Sequence, residues 1–463
     1  MKRRFLIIIA IALIFSFPAY GQKMYKLEDL IGKALTGSPE IRALGKEKKI
    51  KTEELRQAKA GRFPSISSQI NISYVANPPG ITLLPGDLGS ISTSQGDVYF
   101  PQEKMDVNLG IQNIDFTFTV TADQPLFTWG KIKNAILAQE KGLEARAQSI
   151  SAKTHNVSIN LASHIYTLKF LNKIQDLLKE QKSTAERLIY ISGKSYENGF
   201  ITYSALLNTR IQIKAIELAN KESQKQQEII CAEIRRLTGL SGFTAASVDY
   251  STLSPDLSAY PIEDEKELRS LAIRNNKDLQ TLRISARAQE EKLAVSRGSV
   301  PFRPDIGLHL ELSYGGPDFP LIEQDWYGQD DYNMSFTVAL TSALFDAGTG
   351  KSSVEEQKAV FENALISVEK AEADISYALT AALSEIELAR EKILYFEAKL
   401  EADREEESLK KRSFESEAGT ESDYLTAKIK VYEDEINILA EKIVFFSGFF
   451  TIQKLIGRNF PDR

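Results

Sequence analysis

Hydrophobic and polar residues alternate with a period of two in four separate stretches of the chain. The apolar positions of these stretches are Ile66, Ile70, Ile72 and Tyr74; Ile114, Phe116, Phe118 and Val120; Ile306, Leu308, Leu310, Leu312 and Tyr314; and Met334, Phe336, Val338 and Leu340. Such alternation predicts β-strands with one apolar and one polar face. The first two stretches are expected to form one hairpin, and the last two another.

Two much longer stretches, residues 131–240 and 351–457, carry apolar residues at steps of three and four, as a coiled coil does. Each stretch is free of proline and is interrupted once, by a glycine with a hydroxyl residue three positions later that can cap a new helix. These pairs are Gly199 with Thr202 and Gly419 with Ser422. The pattern therefore predicts two long helical hairpins.

The chain also repeats itself. Near the start of each half, the residues that match at a separation of 238 are Leu30, Ala34 and Leu44 with Leu268, Ala272 and Leu282. Later matches are Leu126, Phe127 and Leu207 with Leu344, Phe345 and Leu425 at 218, and Gly130 and Gly199 with Gly350 and Gly419 at 220. The change from 220 to 218 predicts that the second hairpin turn is two residues shorter than the first. The predicted organisation is a first repeat at residues 22–240, a linker at 241–261 and a second repeat at 262–463.

The amino terminus has the pattern of a secretory signal peptide, predicted for residues 1–21. Three cations precede an apolar run from Phe5 to Phe17, and small residues then stand at the spacing of a cleavage site. The run is shorter than the roughly 20 residues that a membrane-spanning helix needs. Any membrane crossing by the mature chain is therefore expected to use strands.

Four strands cannot close a membrane barrel, because the smallest barrels need about eight. The alternation alone would also fit a soluble β-sandwich, but a sandwich usually has about seven strands. Several residues near the hairpin loops fit the aromatic girdle of a membrane barrel: Tyr74, Tyr99, Phe100, Tyr314, Trp326, Tyr327 and Tyr332. The predicted fold class is a mixed α/β membrane protein, in which three chains share a 12-stranded β-barrel and a coaxial, periplasmic α-helical barrel.

The order of helix, proline, β-hairpin, Leu-Phe motif and long helical hairpin, found twice after a signal peptide, resembles that of the TolC-like outer-membrane efflux proteins. The strand-to-helix segments are similar to the family's signature. Their residues here are Pro125, Leu126, Phe127 and Gly130 in the first half, and Leu344, Phe345 and Gly350 in the second. Residues 199–210 and 419–428 resemble the family's hairpin tips.

The resemblance implies a homotrimer in the outer membrane that extends into the periplasm. Its implied function is that of a passive exit duct in a tripartite efflux or type I secretion system, without enzymatic activity, cofactor or metal. The implied partners are a periplasmic adaptor protein, an inner-membrane transporter and outer-membrane lipid. The loop from Asn77 to Lys104 is expected to face the outside and to tolerate an inserted epitope near Gly89. The competing interpretation is a periplasmic coiled-coil adaptor or scaffold, although adaptors usually have only one helical hairpin.

The resemblance further implies that the hairpin tips form the periplasmic entrance and contact the adaptor. The candidate residues are Gly199, Thr202, Glu417, Gly419, Glu421, Ser422 and Asp423. Asp423 matches a family aspartate at the pore constriction if the second turn is two residues shorter, whereas a second family aspartate falls on Thr426. Positions that form closing links in some members, as aspartate, tyrosine and arginine, are here Ala205, Ser416 and Glu421. The closed state is therefore expected to be held differently.

Charge and motif content exclude several other classes of function. The formal net charge of the chain is −6, and removal of the signal peptide makes it more negative, which argues against nucleic acid as a partner. Residues 348–352 are similar to a phosphate-binding loop, but that pattern requires a glycine where Phe345 stands. The three histidines, His155, His164 and His309, are scattered and predict no metal site.

Overall fold

The structure is a computed structural model that describes residues 24–76, 80–108, 113–316 and 332–460. The predicted signal peptide lies outside the described residues, as do the loop aromatics Trp326 and Tyr327. The chain divides into two compact units. The helical unit comprises Met1–Lys51, Gly142–Ala286 and Asn363–Arg463, and the sheet unit comprises Thr52–Lys141 and Arg287–Glu362. Each unit therefore contains residues from both sequence repeats.

The described part of the chain contains eight α-helices. They are α1 Leu27–Gly37, α2 Pro39–Ala60, α3 Lys131–Glu197, α4 Tyr203–Thr238, α5 Glu265–Asn275, α6 Lys277–Gly298, α7 Thr349–Glu415 and α8 Glu421–Leu455. Helices α5 and α6 repeat α1 and α2 at the same separation that relates Leu268 to Leu30. None of these helices is both long and apolar enough to cross a lipid bilayer.

Helices α3 and α7 each have 67 residues. The first residues of the two helices are 218 positions apart, and so are their last residues. This is also the separation of Leu126 and Leu344. The following turns, residues 198–202 and 416–420, are equal in length. The predicted shortening of the second turn is therefore wrong. It was suggested by the glycine in each turn, whereas the helix ends show that the two glycines occupy different places in their turns.

The described strands are β1 Ser65–Tyr74, β2 Gly80–Leu83, β3 Ser90–Thr93, β4 Gly96–Tyr99, β5 Met105–Asn108, β6 Ile114–Phe127, β7 Asp305–Gly316 and β8 Tyr332–Thr341. Four of them form one antiparallel sheet in the order β1-β6-β7-β8. The two predicted hairpins are confirmed, and the contact between β6 and β7 joins them. Strands β1 and β8 are the edges of this sheet.

The sheet has one continuous apolar face. One row across it pairs Ile66 with Ala122, Ala122 with Leu310, and Leu310 with Phe336, so every strand contributes an apolar residue. Ile66 is 73% exposed and Phe336 is 67% exposed. Exposed apolar surface of this extent is rare in soluble proteins and marks a site of contact with lipid or with another protein.

Strands β2 to β4 lie in the segment Asn77 to Lys104 that the sequence pattern assigned to a loop, and β5 follows directly after it. Strand β2 pairs with β5, and β3 pairs with β4, in two small antiparallel sheets. The side chain of Thr82 donates a 2.5 Å hydrogen bond to Asp106 across the first pair. These strands are short and have little hydrophobic alternation, so the periodicity that identifies longer strands is absent.

An aromatic cluster forms the centre of the helical unit. The rings of Tyr166 and Phe446 stack with centroids 4.7 Å apart, and the ring of Phe170 also stacks on Phe446, at 5.5 Å. The hydroxyl of Tyr166 lies 2.5 Å from that of Tyr260. Tyr260 belongs to the segment 241–261, in which Phe243 and other apolar residues are also buried. This segment is therefore packed against the helices as part of the core.

Polar contacts establish the order of the four long helices in the helical unit. Gln175 of α3 contacts Gln227 of α4 at 3.1 Å. Gln181 of α3 reaches the carbonyl of Ile429 in α8 at 3.4 Å. Ion pairs then join α8 to α7, among them Lys392 to Glu441 at 3.0 Å. The helices therefore follow the order α4-α3-α8-α7, with α4 and α7 at the two edges.

Candidate functional site

The first helical hairpin turn ends α3 with a left-handed glycine. Gly199 has φ +77°, and its N–H donates to the carbonyl of Tyr196 at 2.9 Å. Glycine adopts this conformation without a steric cost, which allows the chain to leave the helix. Thr202 then accepts a 3.2 Å hydrogen bond from the N–H of Ala205 and caps α4, as the sequence predicted.

The second turn is built differently. The residue with left-handed backbone is Glu417, at φ +58°, which is uncommon for a residue other than glycine. Gly419 has a separate role, because a Cβ there would lie 2.6 Å from the Oγ of Ser413. The N–H of Gly419 donates to the carbonyl of Ser413 at 3.0 Å. The turn therefore needs a glycine for close packing.

The cap of α8 was assigned to the wrong residue. Thr420 accepts a 3.1 Å hydrogen bond from the N–H of Asp423 and is the capping residue. Ser422 lies inside the first turn of the helix, where its carbonyl accepts a hydrogen bond from Thr426. The correction follows from the equal lengths of the two turns, which align Thr420 with Thr202.

The three carboxylates predicted at the second turn have different environments. Glu421 forms a bidentate ion pair with Arg187 of α3, with distances of 2.8 and 3.0 Å. The hydrogen bonds from Arg187 lower the pKa of Glu421, so the pair stays ionised until the pH falls below the usual range of a glutamate. Asp423 and Glu417 are exposed, and neither has a side-chain partner among the described residues. Glu421 is therefore neutralised within its own chain.

Arg187 is the residue at this site that the sequence analysis missed. It lies far before Glu421 in the chain, in a helical stretch with many other charged residues. Its position opposite the second turn depends on the packing of α3 against α8, which no local pattern reveals. Arg187 also lies over the ring of Tyr190, at 5.6 Å from the centroid.

The first turn is aromatic where the second is acidic. Phe200 is 81% exposed at its apex. The rings of Tyr196 and Tyr203 are also exposed and lie 5.6 Å apart. Tyr203 and Glu421 occupy equivalent positions, since each is the first residue of the helix that follows its turn. The two hairpin turns thus have the same length but present different surface chemistry.

The strand-to-helix junctions are two further candidate sites. In the first, Trp129 and Gly130 have left-handed backbone at φ +51° and +81°. In the second, Ala347 and Gly348 have φ +52° and +87°. The pairing of Gly130 with Gly350 is therefore wrong, because Gly348 occupies the equivalent position. Gly350 lies inside α7, where it contacts the cap of that helix.

Asp346 caps α7 with both carboxylate oxygens. Its Oδ1 accepts a hydrogen bond from the N–H of Gly348 at 2.9 Å, and its Oδ2 accepts one from Gly350 at 2.7 Å. In a phosphate-binding loop such N–H groups would point at the phosphate. Here the carboxylate occupies them, so this loop is a helix cap.

The apolar signature residues lie at the surface of the sheet unit. Pro125, Leu126 and Phe127 end strand β6, next to a bulge in its pairing with β7. Leu344 and Phe345 follow β8 and are exposed. The described residues contain no group of His, Cys, Asp and Glu side chains able to hold a metal ion.

A sequence model of the outer membrane efflux protein family matches residues 30–240 and 268–442. The chain belongs to this family. The two matched ranges correspond to the two repeats and cover most of the chain. The membership confirms the resemblance to TolC-like outer-membrane proteins that the motifs indicated.

Among curated relatives of the family is the multidrug resistance outer membrane protein MdtQ of Escherichia coli O6:H1, which is 24% identical over 280 residues. The match covers 60% of this chain and 55% of MdtQ. The chain thus spans about half the length of this relative.

Solved channels share the fold over nearly the whole chain. The Vibrio cholerae outer membrane protein VceC is 16% identical, with a TM-score of 0.71 and coverage of 94% of this chain and 96% of VceC. The Campylobacter jejuni CmeC outer membrane channel is 14% identical, with a TM-score of 0.73 and coverage of 94% and 87%. CusC gives a TM-score of 0.71 at 13% identity, with coverage of 94% and 92%.

The family membership places the protein in the outer membrane, and the solved structures show that its fold is shared by outer-membrane channels. The expectation that it is not an enzyme is confirmed by the same membership. The fold also agrees with the predicted combination of helical hairpins and a small sheet. The competing interpretation as an adaptor or scaffold is disfavoured.

Proposed function

We propose that the protein is the outer-membrane exit duct of a tripartite efflux system and works as a homotrimer. The observation that carries this proposal is the four-stranded sheet, which has an exposed apolar face and two unpaired edges, β1 and β8, among the described strands. Exposed edges of long strands favour pairing with another chain. Because β1 and β8 run antiparallel, three copies can close one barrel of 12 strands with lipid on the apolar face.

The helical unit supports the same assembly. Its edge helices α4 and α7 each carry exposed apolar residues at spacings that return to one face of a helix. These residues are Leu207, Ile211, Leu218 and Ile229 on α4, and Ile366, Tyr377, Leu388 and Tyr395 on α7. Packing of α7 against α4 of the next copy would bury both stripes. The edges of the sheet and the edge helices thus both favour a ring in which each chain contacts the next.

Cross-linking between strand ends tests the trimer. Ser65 begins β1 and Thr341 ends β8, so both lie at the same end of the sheet. In the proposed trimer, Ser65 of one chain and Thr341 of the next would lie near the same end of two neighbouring strands. The double variant Ser65→Cys/Thr341→Cys, treated with a short bis-maleimide in outer membranes, is expected to give covalent trimers of about three chain masses.

Each single cysteine variant is the matched control and is expected to give no trimer. The natural Cys231 is buried and should not react. Cross-linking of the double variant within one chain only, with a stable monomer in detergent, would contradict the shared barrel. So would covalent ladders longer than three chains, which would indicate an open assembly.

We further propose that the two hairpin turns face the periplasm, where they bind an adaptor protein that connects the duct to an inner-membrane transporter. The exposed aromatic residues of the first turn support this, because aromatic side chains are enriched in protein interfaces. The relative MdtQ is described as a multidrug resistance protein. Small organic molecules are therefore the proposed cargo, ahead of the proteins exported by type I secretion.

Asp423 is the proposed lining residue of the closed entrance. Its carboxylate is exposed and has no partner within the described chain, whereas Glu421 is bound to Arg187. Three copies of Asp423 around a narrow opening would attract cations and divalent blockers. In planar bilayers, Asp423→Asn is expected to reduce cation selectivity and divalent block several-fold, with trimer formation unchanged.

The matched control is Asp176→Asn, which removes an exposed carboxylate of α3 away from the turns. It is expected to leave selectivity and block as in the wild type. Equal conductance behaviour of the Asp423 variant and the wild type would show that Asp423 does not line the constriction.

The outer loop yields a topology prediction that corrects the expected insertion point. The backbone of Gly89 is bonded on both sides, since its N–H donates to Gly86 and its carbonyl accepts from Phe100 at 2.9 Å. Ser94 and Gln95 are exposed and form the turn between β3 and β4. A short epitope inserted there should preserve efflux and bind antibody on whole cells.

The same epitope inserted at Gly89 is the comparison, because it breaks the local hydrogen bonds and should lower the yield of assembled protein. Antibody access to the Ser94–Gln95 insertion only after the outer membrane is broken would show that this loop faces the periplasm.

A further inference from the structure

Helix α8 carries a carboxylate that is removed from solvent. Asp434 is 0% exposed, although it lies on a helix with many charged residues. Its Oδ1 accepts a 2.5 Å hydrogen bond from the Nζ of Lys399 in α7. Its Oδ2 is buried and has no hydrogen-bond donor among the described residues. An ionised oxygen buried without a donor is costly, by several kcal/mol in general.

A second carboxylate faces the same place. Asp403 lies one turn after Lys399 on α7, and its Oδ2 is 3.4 Å from the lysine Nζ. This oxygen is buried and, like Oδ2 of Asp434, accepts no hydrogen bond from the described residues. Both carboxyl groups face the Nζ of Lys399, which lies 2.5 Å from Oδ1 of Asp434 and 3.4 Å from Oδ2 of Asp403, so they lie side by side at one ammonium group. One ammonium group therefore serves two carboxylates, and each carboxylate keeps an unsatisfied oxygen.

A single proton would satisfy this arrangement. Bound to one carboxyl group, it supplies the missing O–H donor to the other and neutralises the excess negative charge of the three side chains. Burial raises the pKa of Asp434. The neighbouring Leu400, Val431 and Ile438 form a small apolar cluster. Apolar surroundings screen the charges of the site less than water does.

Several other charged groups near the site form ion pairs with each other. On the two helices these ion pairs are Arg404 with Glu435 at 2.6 Å, Lys430 with Glu406 at 3.0 Å, and Lys392 with Glu441 at 3.0 Å. Glu433 precedes Asp434 and adds negative charge beside it. On α3, which packs against α8, Glu180 contacts Tyr432. These groups supply no further donor to the two aspartates.

We propose that Asp403, Asp434 and Lys399 form a proton-binding site that fastens α7 to α8. With the proton bound, an O–H···O bond and the ammonium group together bridge the two helices. Without it, two carboxylates share one ammonium group inside the helix interface, and the contact weakens. The second helical hairpin is therefore tighter at low pH than at high pH.

The direction of the pH effect follows from the native pKa, which lies above that of the unfolded chain. The stabilisation is fully present below the ordinary aspartate range and is lost as the pH rises through the native value. In that window the equilibrium constant for local opening of α7 from α8 increases by up to about tenfold per pH unit. The consequence for conduction rests on the proposed function, because α8 carries Asp423 in its first helical turn.

Hydrogen exchange of the full-length protein in detergent tests the site. Amides of residues 396–404 and 430–438 are followed by mass spectrometry from about pH 4 to about pH 8, with rates corrected for intrinsic exchange. Between the unfolded and the native pKa of the site, wild-type protection in these segments should fall by up to about tenfold per pH unit as the pH rises. Asp434→Asn, which imitates the protonated carboxyl, should be nearly independent of pH. Glu401→Gln, which changes an exposed carboxylate in the same part of α7, should behave as the wild type.

If Asp434→Asn does not assemble, Asp403→Asn provides the same test. Asp403 is closer to solvent than Asp434 and should tolerate a substitution better. A pH dependence in either assembled variant equal to that of the wild type would overturn the proposal. Conductance in planar bilayers distinguishes the two levels of inference. If the pore opens at high pH in the wild type but not in the variant, the proton site is coupled to conduction. If the variant changes hydrogen exchange but not conductance, the proton site exists but does not control the duct.

Discussion

Replacing Phe336 by arginine is expected to prevent assembly of the protein in the outer membrane. Phe336 lies in the middle of β8 on the apolar face, where each side chain would contact lipid. An arginine on the lipid-facing side of a barrel costs about 2–4 kcal/mol near the bilayer centre. A trimer would incur this cost three times. The measurement is the fraction of protein recovered as trimer from outer membranes.

The matched control is Thr337→Arg. Thr337 is the next residue of the same strand and points to the opposite, polar face, where it pairs with His309. This variant is expected to assemble at close to the wild-type level. Equal assembly of both arginine variants would show that neither face of the sheet contacts lipid.

Replacing Phe446 by alanine is expected to destabilise the helical unit by about 3–5 kcal/mol. Phe446 is 1% exposed and stacks on the rings of Tyr166 and Phe170, so its removal leaves a cavity in the core. The measurement is denaturant-induced unfolding in detergent, followed by the loss of helical circular dichroism.

Phe200→Ala provides the comparison, since the same side chain is removed from an exposed turn. Its effect on unfolding should lie within about 0.5 kcal/mol. A loss of stability as large in Phe200→Ala as in Phe446→Ala would mean that the aromatic cluster is not the centre of the core.

The strands and long helices could be predicted because their residues carry a periodic signal. The alternation from Ile306 to Tyr314 gives β7, and the stretch from Lys131 onward has the steps of a long amphipathic helix. Each signal arises from one face being apolar, which is a property of the local sequence. The repetition of α1 as α5 is likewise visible as matched apolar residues.

The details of the turns could not be predicted in this way. The glycines suggested that Gly199 and Gly419 are equivalent, but left-handed backbone in the second turn falls on Glu417. A residue other than glycine can adopt that conformation when the surrounding hydrogen bonds compensate for the strain. The cap at Thr420 was missed for the same reason, since Ser422 stood at the expected distance from Gly419.

Contacts between distant residues were also outside the reach of the sequence. The ion pair of Arg187 with Glu421 and the contact of Lys399 with Asp434 join different helices. The long helices contain many charged residues, so only their packing determines which of these residues become partners. The role of each carboxylate at the candidate entrance therefore depends on tertiary structure.

The two hairpin turns have equal length and unlike surfaces, Phe200 at one and Glu421 with Asp423 at the other. Around a trimer, the two repeats would place six turns in a ring with approximate sixfold symmetry. Neighbouring turns would alternate between aromatic and acidic. A partner made of six identical subunits would therefore meet two different surfaces in turn, and its own sixfold symmetry would be reduced to threefold on binding.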